Sequence, residues 1–407
     1  MSPATGKLET MPKVIYFDNN ATTAVAPEVR EAMMPFLTDL YGNPSSIHTF
    51  GGQVAAHVDE AREQLADLLG AHPSEIIFTS CGTESDNTAI RSALACYPER
   101  RHVITSRVEH PAVLILCQSL AQGGPGKTGY RLTQLPVAAD GALDLGAFEN
   151  ALDDDTAVVS IMWANNETGV LFPVEKIGEL CRARGVLFHT DAVQIVGKVP
   201  VDLAEMPIDM LSLSGHKLHA PKGIGALYVR RGTRFSPYLQ GGHQEHNRRG
   251  GTESVPLIVA LGKAASLAKK HLADERTRVR ALRDRIEKGL LATCPDARLN
   301  GAPDPRLPNT SNISFEYVEG ESILLMLDQH GICASSGSAC TTGSLEPSHV
   351  LRAMGVPYTA AHGSIRFSLS IYSTQEEVDK VLEVLPPIIH RLREISPFGR
   401  RQTAART

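Results

Sequence analysis

Lys217 stands in the stretch SLSGHKLHAPKG, residues 212–223, where a lysine is out of place. It follows an apolar run, residues 208–213, that reads as a buried strand, and its neighbours are Ser, Gly and His rather than solvated charges. Burial disfavours an ammonium ion and lowers its pKa from the usual lysine value of about 10.4, leaving the amine a nucleophile and base near neutrality. Schiff-base chemistry with an aldehyde requires such an amine. Taken alone, the residue would suit a surface turn, where most lysines lie. Its companions change that reading.

Several polar residues stand where apolar strands end, and in open α/β sheets ligands sit beyond the carboxyl ends of the strands. SCGTESD, after the strand EIIFTS, places Gly82 and Thr83 at a helix start, whose free N–H groups and dipole favour a phosphate. Thr83 with Asp86 three residues on also fits a capping box, and one residue can serve both purposes. His110, in VEHPAV, opens a helix just before Pro111, a position that suits a structural histidine as well as a ring-stacking one. FHTDAVQ ends an apolar strand with Asp191 and Gln194, and a carboxylate buried there needs a cationic partner, such as a protonated pyridine nitrogen. Together these residues supply a phosphate cradle, a stacking ring, a carboxylate for a pyridinium and a lysine for an aldehyde, which is a pyridoxal phosphate site. Cys340 lies in ASSGSACTTGS, too rich in Gly, Ser and Thr to be a packed element, so its thiol is expected on an exposed loop. Cys333, beside Ile332, reads as core.

The elements that must position these groups follow from the apolar pattern. Amphipathic helices are expected over residues 27–40 and 53–69, separated by the polar loop YGNPSSIHTFGG. From Glu75 short apolar strands alternate with helices, implying a mainly parallel sheet covered on both faces. After Arg249 the texture changes to long helical segments over 254–294, then the strands NISFEY and SIRFSLS and a last helix over 375–395. That is a second, smaller α/β domain. The expected division is an N-terminal segment, 1–26, packing with the small domain, a large cofactor-binding domain, 27–270, and a small C-terminal domain, 271–407, carrying the Cys340 loop.

With 407 residues, 42% of them hydrophobic, the chain can bury a large core, and a net charge of −5 gives no general reason to bind nucleic acid or an anionic membrane. The basic clusters Arg230, Arg231, Arg234 and Arg248, Arg249 read as solvated faces. No stretch approaches 18 uninterrupted apolar residues, and the N-terminus lacks the apolar core of a signal peptide, so the expected compartment is the cytoplasm. Seven cysteines without CxxC pairs read as thiols rather than a disulfide framework. His216 with His219, and His243 with His246, lack the further close ligands of a structural metal site. AQGGPGKT, residues 121–128, looks like a relaxed nucleotide-binding phosphate loop, but it follows a helix and leads into a strand, the reverse of what that loop requires.

The motifs YFDNNATT, YGNPSS, FTSCGTESD, WANNETG, HTDAVQ, SGHK, RRGGTES, EGES, SSGSACTTGSLEPSHVLRAMG and IRFSLS occur in this order over almost the whole chain. In them the sequence closely resembles the NifS-type, class I cysteine desulfurases, which have the fold-type I, pyridoxal-phosphate-dependent transferase-like architecture. The resemblance implies pyridoxal 5'-phosphate held by Lys217, with His110 stacked on its ring, Asp191 at the pyridine nitrogen, Gln194 at the phenolic oxygen and Asn166 near that oxygen and the substrate. It implies that Gly82, Thr83, Ser214 and His216 bind the phosphate, with Thr252 supplied by the second subunit of a homodimer, and that Arg366 grips the carboxylate of L-cysteine. Cys340 would be the nucleophile that takes the sulfur, His110 the proton shuttle, and an iron–sulfur scaffold protein the acceptor. There is no dedicated metal site in this reading; the Cys340 persulfide would transiently ligate a cluster shared with the scaffold. Nitrogenase maturation is the implied client, with housekeeping cluster assembly and selenocysteine lyase activity as the alternatives. The extra N-terminal residues and the GGPGKTG insert depart from the family pattern.

Overall fold

The structure is a computed structural model that describes residues 14–124, 129–336 and 347–396. Among these residues twelve strands form three sheets: β1 (Ile15–Tyr16), β2 (Ile76–Thr79), β3 (His102–Ser106), β4 (Arg131–Leu135), β5 (Thr156–Ser160), β6 (Leu187–Asp191), β7 (Met210–Ser214), β8 (Gly225–Val229), β9 (Ala297–Leu299), β10 (Thr310–Phe315), β11 (Ile332–Cys333) and β12 (Ser364–Ser368). The large sheet has the order β2-β8-β7-β6-β5-β3-β4 and is parallel except for β8. Its strands are buried on both faces because alternate side chains feed two cores. Ile76, Phe78, Leu211 and Leu213 enter one, packed with Val54, Val58 and Leu65 of the helix Thr49–Leu69; Ile77 and Met210 enter the other, packed with Ile90 and Ala93 of the helix Gly82–Cys96.

A separate core holds the small sheet β12-β10-β9 against the helices Arg280–Thr293, Gly320–Asp328 and Gln375–Ile395, through Ile313, Phe315, Ile365 and Phe367. Phe17 belongs to that core, and β1 pairs with β11. From Thr23 the chain turns onto the large sheet, where the Thr23 and Ala26 amides donate to the carbonyls of His216 and His219 at 3.0 Å each. Residue 270 lies inside the helix Val255–Asp274, and Val350, Leu351 and Met354, late in the chain, pack into the core of the large sheet.

Local physics explains where the elements differ from expectation. The helix expected over 27–40 is two short ones, Pro27–Met33 and Pro35–Thr38, because Pro35 has no N–H to continue the ladder. The next helix starts at Thr49, four residues early, because the His48 ring accepts from the Gly51 amide at 3.1 Å and caps it. The helical stretch after Ser254 is interrupted by a π-turn, Glu275–Val279. β8 was not anticipated: its glycine-flanked run lacks the alternation that marks a strand, and its partners β2 and β7 supply the pattern. Arg230, Arg248 and Arg249 are tethered rather than solvated. Arg230 donates to the carbonyls of Leu203, Met206 and Ile208, Arg248 to those of Ser74 and Ile76, and Arg249 pairs with Glu84 at 2.9 Å. The helix Pro111–Gln122 precedes residues 121–128 and β4 follows them, an arrangement unsuited to a nucleotide-binding phosphate loop; residues 125–128 themselves lie outside the described chain. No helix among the described residues is long and apolar enough to cross a membrane.

Candidate active site

A cleft of about 370 Å³ opens at the carboxyl ends of the central strands. It is lined by Gly82, Thr83, His110, Asn166, Asp191, Gln194, Ser214, His216, Lys217 and Arg366, so ten of the twelve expected site residues converge there. Thr252 is exposed and lies outside the cleft of its own chain, and Cys340 falls outside the described residues.

Lys217 closes a 3-10 turn, Gly215–Lys217, directly after β7. It is half-buried rather than buried as expected, and its Nζ donates to the carbonyls of Asn20 at 2.5 Å and Ala21 at 2.6 Å. Those carbonyls belong to the DNNATT stretch, which is thereby a wall of the site. Asn20 ties that wall down: its amide donates to the Asn166 carbonyl at 3.1 Å and Thr310 Oγ1 at 2.8 Å.

Gly82 opens a helix at the end of β2, where the first N–H groups have no intrahelical acceptor. A Cβ there would come within 2.9 Å of Val193, so only glycine lets the backbone lie this close to the neighbouring strand exit. The cap is Cys81, whose Sγ accepts from the Glu84 amide at 3.4 Å; the Thr83–Asp86 capping box does not form, and both of those residues face the cleft instead. Ser214 Oγ and Asp86 Oδ1, both buried, have no hydrogen-bond partner among the described residues. A hydroxyl, first-turn amides and a helix dipole suit a phosphate monoester. The His216 ring is pushed down to about 4, by burial first and then by Lys217 and Lys222, so it is neutral at neutral pH and can only donate or accept as imidazole.

His110 caps the next helix. Its Nδ1 accepts from the Ala112 amide at 3.2 Å, and burial lowers its pKa against the opposing pull of Asp191. A neutral ring that accepts at Nδ1 carries its proton on Nε2. Asp191, at the end of β6, is buried, and desolvation raises its pKa despite His110, the Val193 amide at 2.9 Å and Lys217. A protonated pyridine nitrogen would supply the cation this carboxylate lacks.

Arg366 emerges from β12 with 3% of its surface exposed. Nη1 donates to the Asn166 carbonyl at 3.0 Å and Nη2 to Asp18 Oδ1 at 2.7 Å, while Nε has no partner among the described residues. A guanidinium held at two points with donors to spare is preorganised to bind a carboxylate.

Sequence reasoning missed several groups around this cleft. Glu109, next to His110, is fully buried and pushed up to about 8 by desolvation, while Ser106 and the Met162 amide pull the other way. Glu167, next to Asn166, is raised to about 7 by burial and accepts from Ser348 Oγ. Asp86 lies 3.6 Å from His189, yet burial drives the imidazole down to about 3 and the carboxyl up, so this is a neutral contact rather than an ion pair. A buried acid beside a sheet leaves no local signature. The adjacency of Glu109 and Glu167 to recognised site residues is the one hint the chain contains. Cys333 is half-buried in β11 rather than core, and burial, with Asp328 and Asp18, raises its thiol pKa, making it a poor nucleophile.

The sheet with its cleft at the strand ends and a small α/β domain alongside is the architecture of a pyridoxal-phosphate-dependent enzyme of fold type I. The model of the aminotransferase class-V family matches residues 15–381. The chain is 62% identical over 389 residues to cysteine desulfurase 2 of Trichormus variabilis, covering 96% of each chain, and 60% identical over 385 residues to the cysteine desulfurase NifS of Azotobacter vinelandii, covering 94% of each. Among solved structures it superposes on a NifS-like protein with a TM-score of 0.86 at 38% identity, covering 93% of this chain and all of that one. It also superposes on SspA in complex with cysteine, with a TM-score of 0.77 at 38% identity, covering 88% of this chain and 99% of the other. The chain belongs to the class-V aminotransferase family and, within it, to the pyridoxal-phosphate-dependent cysteine desulfurases of NifS type.

Proposed function

We propose that this cleft holds pyridoxal phosphate on Lys217 and removes the sulfur of L-cysteine, giving L-alanine and a persulfide on Cys340. The convergence of Lys217, Asp191 and Arg366 on one cleft carries this reading, because it unites an amine, a counter-ion for a pyridinium and a carboxylate grip. When bound, the cofactor supplies an electron sink for the pair released as the Cα proton of cysteine leaves. Arg366 orients the substrate through its carboxylate, and the backbone carbonyls of Asn20 and Ala21 hold the Lys217 amine where it can take up and return that proton. His110 holds a proton at Nε2 for exchange with the reacting groups. The Cys340 thiolate attacks the cysteine sulfur; a sulfur–sulfur bond forms as the carbon–sulfur bond breaks, and protonation of the carbon completes alanine.

The phosphate falls to Gly82, Thr83, Ser214 and His216, with Thr252 reaching in from a second copy. Its exposure, and its position away from its own cleft, support that assignment. The acceptor is an iron–sulfur scaffold protein, and the identity to NifS of Azotobacter vinelandii supports nitrogenase maturation as the client. Cysteines that stay free, as the six described ones are, suit the reducing cytoplasm. Borohydride reduction of the yellow holoenzyme followed by peptide mapping tests the site: the label is expected on Lys217, and a label on any other lysine refutes the assignment. In Cys340→Ala, cofactor binding is expected to persist while alanine formation falls to background; turnover at the unsubstituted rate would show the wrong cysteine was chosen.

A further inference from the structure

A second, smaller cavity of about 40 Å³ shares Lys217 with the cleft and is lined also by Lys198, Glu275, His219 and His271. Lys198 is 6% exposed and Glu275 5%. A buried ammonium is costly and persists only where a partner or a function holds it. Lys198 Nζ lies 3.2 Å from Gln194 Oε1 and 3.2 Å from the Gln194 carbonyl, while Gln194 Nε2 donates to the Asn20 carbonyl at 3.0 Å, the same carbonyl that receives Lys217.

An ammonium ion donates and cannot accept, whereas an amide side chain has one end of each kind. The ammonium N–H directed at Oε1, together with the Asn20 carbonyl that accepts from Nε2, therefore fixes which end faces which way: Oε1 turns back to Lys198, and the other N–H of Nε2 is left for the cleft. We infer that Lys198 is a positioning residue that locks the Gln194 amide so that it presents a hydrogen-bond donor, and no acceptor, to the cofactor's phenolic oxygen. This rests on the placement of Gln194 at that oxygen given above. A donor there stabilises the deprotonated oxygen and so lowers the proton affinity of the cofactor's imine linkage beside it. Glu275 completes the device. Burial, with the Arg366 charge acting the same way, pulls Lys198 down to about 8, while Glu275, itself pushed up to about 7 by burial, opposes that pull, so at neutral pH Lys198 is mostly the donor-only cation. The π-turn that begins at Glu275 places that carboxylate at the cavity.

The test is a double-mutant cycle read by the pH midpoint of the bound cofactor's visible absorbance, a property of the resting holoenzyme that does not depend on turnover. Lys198→Met removes the donor that holds Oε1 back and leaves the Asn20 carbonyl as the amide's one described tether, so the donor at the phenolic oxygen is loosened and the midpoint is expected to rise by about one pH unit, a tenfold change in proton affinity. In a Gln194→Leu background the same Lys198→Met substitution should have no further effect. Equal shifts in both backgrounds would mean that Lys198 acts only through its charge and would overturn the inference. A midpoint moved by Gln194→Leu but not by Lys198→Met would also overturn it, while leaving Gln194 at the oxygen. A midpoint that Gln194→Leu fails to move would remove Gln194 from that oxygen and the inference with it. Lys198→Gln, whose amide both donates and accepts, carries the same expectations if Lys198→Met does not fold.

Discussion

Asp18 and Arg366 show how one contact shapes the substrate end of the cleft. Their 2.7 Å ion pair joins residues 348 positions apart, with the arginine almost fully buried and the aspartate partly open. A paired arginine keeps one geometry, and a carboxylate ligand then meets a fork already aligned. Asp18→Asn retains the shape but weakens the hold, so the KM for cysteine should rise roughly tenfold, about 1.4 kcal/mol, with kcat and cofactor affinity little changed. Steady-state kinetics beside a cofactor titration decide this; a fall in kcat alone would place Asp18 in the chemical step. Arg366→Lys, which replaces a planar fork by a point charge, should raise KM further.

At the scale of the element, the short helix His349–Ala353 follows directly on the segment that bears Cys340. Its N-cap is Ser348, whose hydroxyl accepts from the Val350 amide at 3.0 Å and the Leu351 amide at 3.3 Å while donating to buried Glu167. One hydroxyl thus satisfies a helix end and a buried carboxyl, and His349 adds a bond from Nε2 to the Glu109 carbonyl at 3.0 Å. Removing it in Ser348→Ala leaves Glu167 without that donor and the helix without its cap, a loss of about 1–3 kcal/mol. Urea denaturation measures it. A change below about 0.5 kcal/mol would mean that the cap is dispensable.

The whole molecule carries an unusual surface around the first helices. Met34, Leu37, Tyr41 and Ile47 are all exposed, Ile47 completely, within fourteen residues of sequence. Exposed apolar side chains this close in sequence suit an interaction surface, and the homodimer proposed above is expected to cover them with a second copy. Ile47→Glu is expected to shift the sedimentation profile from dimer to monomer at micromolar concentration and to weaken cofactor retention in step. A dimer unaffected by the substitution would move the interface elsewhere, and a fully active wild-type monomer would remove Thr252 from the site.

Much of the cleft was legible because its residues stand at strand exits and helix starts, where short-range pattern is informative. Lys217 after β7, Asp191 at the end of β6, Gly82 and Thr83 after β2, and His110 before Pro111 each follow from an apolar run that stops at a polar group. The alternation of strands and helices likewise dictated a mainly parallel sheet, and with it which end of that sheet is chemically active. Tertiary structure alone decided the supporting contacts. Asp18 reaches Arg366, Asn20 reaches Gln194 and Lys217, and Lys198 shares a buried cavity with Glu275 only because three sequence-distant segments pack at one point. In sequence DNN is a turn and a lone Lys or Glu a surface charge. Burial, which turns such residues into fixed donors and acceptors, arises from packing between segments that no local window contains.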